Sequence, residues 1–245
     1  VLREAAWLNQ LRHGPFTRVF DLLGREYDDA IDRLSEFEVS PKDDDPAGER
    51  LAMHLLAEYW RGNIPMGDGL LQNFFARAPT RLRRFALEHA GWALLNADAK
   101  APDEIVTRLQ ALWLERVSVC RATQDAAELA GFGSWVDIAQ LDGAWRLDQL
   151  IVALELAGTL SRATVVLTTL DELCAEFPVR AFRALKLLIE MDKKPWQLRA
   201  WSGDWDGVLS AALGHPEVRD DATALIHWLG EEGFWSVGRL LDAKS

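Results

Sequence analysis

Pro178-Val179-Arg180-Ala181-Phe182-Arg183-Ala184-Leu185 and Pro216-Glu217-Val218-Arg219-Asp220-Asp221-Ala222-Thr223-Ala224-Leu225 open two segments of one design, 38 residues apart. A third start, Pro79-Thr80-Arg81-Leu82-Arg83-Arg84-Phe85-Ala86-Leu87, is built alike. Proline fixes the entry angle in a first helical turn, where its missing N–H costs nothing. The arginines reach toward a neighbouring element, and small residues such as Ala222 and Ala224 let adjacent helices approach closely. A helix pair of this kind cannot bury its apolar face alone, so successive pairs must stack.

Working outward, helical spacing runs through the chain. Leu51, Leu55, Leu56, Tyr59 and Trp60 recur on one face, as do Leu82, Phe85, Ala86, His89, Trp92 and Ala93, and Leu147, Leu150, Ile151, Leu154 and Ala157. Thr164-Val165-Val166 is too short and isolated to seed a sheet. The spacing predicts helices over 2–12, 15–23, 25–37, 47–61, 67–77, 79–95, 102–121, 124–131, 134–140, 143–158, 161–175, 178–192, 204–213, 216–230 and 234–241. Pro79, Pro102, Pro178 and Pro216 mark starts, with Asp103 and Glu104 at the positive end of a helix dipole. Ser134 with Asp137 has capping-box spacing, and Gly158 and Gly230 read as stops. The main breaks are Val39–Gly48, with two prolines and Asp43-Asp44-Asp45, and Asp192–Gly207. The fold class is all-α.

The Pro216 segment resembles the second helix of a HEAT repeat, and 38 residues is close to that period. The expected architecture is therefore an irregular α-solenoid of HEAT-like antiparallel helix pairs. It forms one domain over 1–245, with a possible division into N-terminal helices 1–40 and a repeat body 47–245. The chain begins at Val1 without methionine and is expected to be a piece of a longer protein.

Composition excludes several classes. The chain is 49% hydrophobic and 27% charged, ordinary for a packed globular protein. A net charge of −11 repels phosphate backbones, so nucleic acid is not an expected partner. No apolar run approaches the length of a membrane span, Ile151–Leu160 being interrupted by Glu155. Cys120 and Cys174 stand singly in apolar helical segments, as buried thiols of a reducing, cytoplasmic protein do.

The search for chemistry returns little. No phosphate-binding loop or nucleophile elbow is present, and Gly131-Phe132-Gly133 follows a helix and lacks the third glycine of a dinucleotide fingerprint. No two of the five histidines stand three to five residues apart, so no helix presents a two-histidine metal face. His54 with Glu58 reads as a simple hydrogen-bonded pair. No catalytic residue, metal or cofactor is expected. Arg77, Arg81 and Arg84 fall at spacings of four and three, with Arg83 adjacent and Glu88 continuing the stripe. If Arg77 shares their helix, three guanidinium groups face one way, to pair with acidic residues of the chain itself or with an external acidic or phosphorylated ligand. Among 11 tryptophans, Trp92, Trp113, Trp145 and Trp228 lie in core phases. Trp196, Trp201 and Trp205 cluster in a turn-rich stretch, where they plug a joint between repeats or form a contact surface.

Phe132-Gly133-Ser134-Trp135-Val136-Asp137, then Leu141 to Leu147, Ala184 to Glu190, Trp196, Trp201–Trp205, Ala222–Gly230, Gly233-Phe234 and Leu240-Leu241 are similar to the C-terminal helical-repeat tails of large bacterial multidomain proteins. Many of those carry an NTPase or other effector upstream and are associated with anti-phage defence. The resemblance rests on spaced aromatic and apolar residues from Phe132 onward. It implies a non-enzymatic scaffold or regulatory domain that contacts a protein partner or other domains of its own polypeptide. A ligand sensor that takes a nucleotide or peptide in a concave groove is the alternative. The contact residues expected are Arg77, Arg81, Arg84 and the exposed members of the Trp196, Trp201 and Trp205 cluster.

Overall fold

The structure, a computed structural model, describes residues 46–60, 69–95, 101–191 and 205–242. The helices expected before residue 46, the division at 1–40, and Trp196 and Trp201 lie outside the described residues. Among the described residues all regular structure is helical, with no strand. The helices are α1 Pro46–Trp60, α2 Gly69–Arg77, α3 Thr80–Leu95, α4 Asp103–Thr123, α5 Gly143–Ala157, α6 Ala163–Leu173, α7 Pro178–Met191, α8 Asp206–Gly214, α9 Arg219–Glu231 and α10 Arg239–Asp242. A 3₁₀ segment, Ala127–Ser134, lies between α4 and α5, and a shorter one, Trp235–Gly238, leads into α10.

The local causes of these helices are visible. Asp142 caps α5 by accepting the Trp145 N–H at 2.8 Å. Gly158 ends that helix at φ 64°, its N–H returning to the Leu154 carbonyl at 3.0 Å. Gly230, expected as a stop, lies inside α9. The stop is Gly233, at φ 94°. The Gly233 N–H bonds the Gly230 carbonyl and the Phe234 N–H bonds the Leu229 carbonyl, closing a Schellman motif with Phe234 buried beneath it. Pro216 does not begin a helix proper. Residues 215–218 form a tight turn whose His215 carbonyl accepts from Val218 and Arg219, and α9 starts at Arg219.

The largest departure from the periodicity is at 124–141. Two helices are expected there, with Ser134 and Asp137 as a capping box. The chain instead forms the 3₁₀ segment and a string of tight turns, with i→i+3 bonds from Trp135 to Phe132, Ile138 to Trp135 and Leu141 to Ile138. The physical reason is burial on every side, since each residue from Glu128 to Val136 is buried. The segment is a plug driven between α3, α5 and α6. Backbone approaches there leave no room for side chains. A Cβ on Gly133 would stand 1.7 Å from the Ser161 carbonyl oxygen, and one on Gly91 of α3 would stand 2.5 Å from that of Ser134.

Phe132 of the plug organises the largest aromatic cluster. Its ring centroid lies 4.4 Å from that of Trp113, 6.1 Å from Trp135 and 6.0 Å from Trp145. The two fully buried indoles of this cluster keep their polar ends satisfied, whereas the Nε1 of the equally buried Trp205, outside the cluster, meets no hydrogen-bond partner. Trp113 Nε1 donates to Gln149 at 3.0 Å, and Trp135 Nε1 donates to the Leu87 carbonyl at 2.8 Å.

Beyond the plug α5 packs on α7, α6 on α7 and α8, α7 on α8, and α8 on α9 and α10. Ion pairs tie α7 to its neighbours: Arg180 to Asp148 at 2.7 Å, Arg183 to Glu217 at 3.1 Å and Lys186 to Asp221 at 3.5 Å. Arg239 to Asp206, at 2.5 Å, ties α10 to α8. Nearer the start, Arg81 meets Glu49 at 3.1 Å, and Tyr59 and Arg108 exchange side-chain-to-carbonyl bonds between α1 and α4. No helix among the described residues is long and apolar enough to cross a membrane.

Candidate functional site

The arginines of α3 divide by helical phase. At 3.6 residues per turn, positions 82, 83, 86, 87 and 90 share one side, and 81, 84, 85, 88, 89 and 92 share the other. The first side is the core side, so Arg83 is carried inward. Its Nε donates to Glu128, its NH1 to the Ala78 carbonyl at 2.8 Å, and its NH2 to Asp125 at 2.5 Å and Thr80 at 3.0 Å. Arg116 of α4 donates to the other oxygen of Glu128 at 2.7 Å and lies 4.6 Å above the Phe75 ring. Glu128 is completely buried, so this is a fully bonded internal staple joining α3, α4 and the plug. Beside it, burial and the Glu128 charge push the Cys120 thiol up to about 12. Burial also raises the Cys174 thiol.

The outward side of α3 carries an aromatic ladder. The Phe85 ring stacks on His89 at 5.9 Å, and His89 lies 6.2 Å from Trp92. Trp92 is 50% exposed, whereas Phe85 and His89 are half-buried. Burial holds His89 below the ordinary histidine range. A solvent side of a helix is ordinarily polar, and this one carries three rings instead. Arg81 and Arg84 precede the ladder on the helix, with about half of each side chain exposed. Arg81 pairs with Glu49. Arg84 stands 3.6 Å from Glu88 Oε1, the same oxygen that accepts the Ser161 hydroxyl, so its hold on Glu88 is loose.

Arg77 is exposed but does not share their helix. It ends α2, where the Ala78 N–H closes on the Phe74 carbonyl and Pro79 interrupts the helix. The stripe read from the spacing is therefore two arginines on α3 with a third beyond a break. Trp205 is fully buried, its ring 5.5 Å from Phe234 in an edge-to-face arrangement, and it offers no contact surface. Two other large apolar side chains stand exposed, Leu114 on α4 and, most of all, Trp235 at 82%. The spacing of Phe85, His89 and Trp92 reads as a core stripe shared with Leu82; the structure instead leaves Trp92 half exposed, because these three residues stand on the side of α3 away from Leu82.

Arg146 is buried, its guanidinium donating to the Val136 carbonyl at 2.8 Å. Desolvation lowers its pKa, against the opposing pull of Glu172, Asp137 and Asp142. Among the described residues no three His, Cys, Asp or Glu side chains are gathered to hold a metal ion. No protein-family model, curated protein or solved structure matches the chain.

Proposed function

We propose that the chain is a non-enzymatic helical-repeat domain that holds a protein partner, or another domain of its own polypeptide, against the outward side of α3. The observation that carries this reading is the ladder Phe85–His89–Trp92, preceded on the same helix by the exposed Arg81 and Arg84, with Trp92 half exposed. Tryptophan and arginine are the residues that dominate binding energy where proteins meet.

The repeat character is supported by the ion pairs. Glu49–Arg81, Asp148–Arg180, Asp206–Arg239, Arg183–Glu217 and Lys186–Asp221 span 32, 32, 33, 34 and 35 residues, whereas the pairs that reach the plug, Arg83–Asp125, Arg83–Glu128 and Arg116–Glu128, span 42, 45 and 12. Near-constant spacing of contacts is what a stack of helix pairs produces, each unit touching mainly its neighbours. The substantial helix contacts agree, joining elements no more than three positions apart in chain order. The architecture we infer is an irregular, HEAT-like α-solenoid in which the 3₁₀ plug replaces one regular pair. The likeness to the helical tails of bacterial defence proteins would make an upstream effector domain the natural occupant of the α3 surface.

A photo-crosslinking residue placed at Trp92, with one at Leu114 of α4 as the comparison, tests this in the host cell. A discrete protein adduct from position 92 that is absent from position 114 supports the reading. Equal, diffuse labelling at both positions overturns it.

A further inference from the structure

We draw no further inference here: the strongest candidate, the apolar surface patch at the exposed Trp235 on the short 3₁₀ segment between α9 and α10, carries nothing because nothing in the structure shows what covers it.

Discussion

Replacing Glu128 by glutamine removes one charge and almost no volume, which isolates the electrostatic part of the internal staple. The carboxylate is completely buried and receives Arg83 on one oxygen and Arg116 on the other, the Arg116 side chain being only 6% exposed. Removing one member of a buried pair costs about 3–5 kcal/mol, because the remaining charge is stranded in a poorly polarisable interior. Here two guanidinium groups lose their counter-ion, although Arg83 retains Asp125, so the upper part of that range is expected. For a chain of this size each kcal/mol moves Tm by about 2–4 °C, so Glu128→Gln should melt roughly 10–20 °C below the parent. The comparison is Arg81→Gln, which removes an exposed pair and should cost less than about 1 kcal/mol. Thermal and urea unfolding followed by circular dichroism measure both. If Glu128→Gln loses no more than Arg81→Gln, the staple does not hold the plug to α3 and α4, and the reasoning from burial is wrong.

Gly133→Ala pushes a methyl group into the Ser161 carbonyl and should lower stability by more than about 3 kcal/mol by displacing backbone, whereas Gly158→Ala, with open space but φ 64°, should cost about 1–2 kcal/mol; urea titration ranks the two. Cys120, whose thiol is pushed up to about 12, should stay protonated and resist iodoacetamide at pH 8 until the protein unfolds; labelling of the native chain at the rate of a free cysteine would contradict its burial. His89 has its pKa lowered by burial, so the unfolded chain binds more protons near and below the ordinary histidine value of about 6.5. Its contribution to stability is therefore complete above that value and declines as pH falls toward 5; His89→Gln should flatten this part of a Tm-against-pH profile, and an unchanged slope would assign it to other groups.

Helix existence was plain in the sequence because burial in α5, α7 and α9 is one-sided, and one-sided burial writes the 3.6-residue period into the side chains. α5 and α7 come within a residue of the expected ends, since Gly158 and Pro178 act through their own backbone chemistry. The plug was not readable as a 3₁₀ element for the opposite reason. A segment buried on all sides has no polar face and thus no period. Its surviving signal was the interleaving of Gly131 and Gly133 with Phe132 and Trp135, marking close backbone approach. Gly230 and Gly233 show another limit: both suit a helix end, and only the packing of Phe234 over α9 decides between them.

The arrangement of the α3 arginines was half legible. Spacing grouped Arg81 with Arg84, and the same arithmetic turns Arg83 inward, but its acids Glu128 and Asp125 lie more than forty residues away and no local pattern announces them. The condition placed on Arg77, that it share the helix of Arg81, fails because Pro79 interrupts the helix between them. Trp205 illustrates why an aromatic in a turn-rich stretch is ambiguous. The same side chain suits a joint or an interface, and its ring against Phe234 makes it a joint.

The central claim is that the α3 ladder serves contact and not stability. The most direct measurement is the pair of values, partner affinity and Tm, for Arg81→Glu combined with Trp92→Ala, using the protein captured by crosslinking at position 92. The account predicts at least about a tenfold loss of affinity with Tm held within about 4 °C of the parent. Unchanged affinity, or a fall in Tm of the size expected for Glu128→Gln, would contradict it.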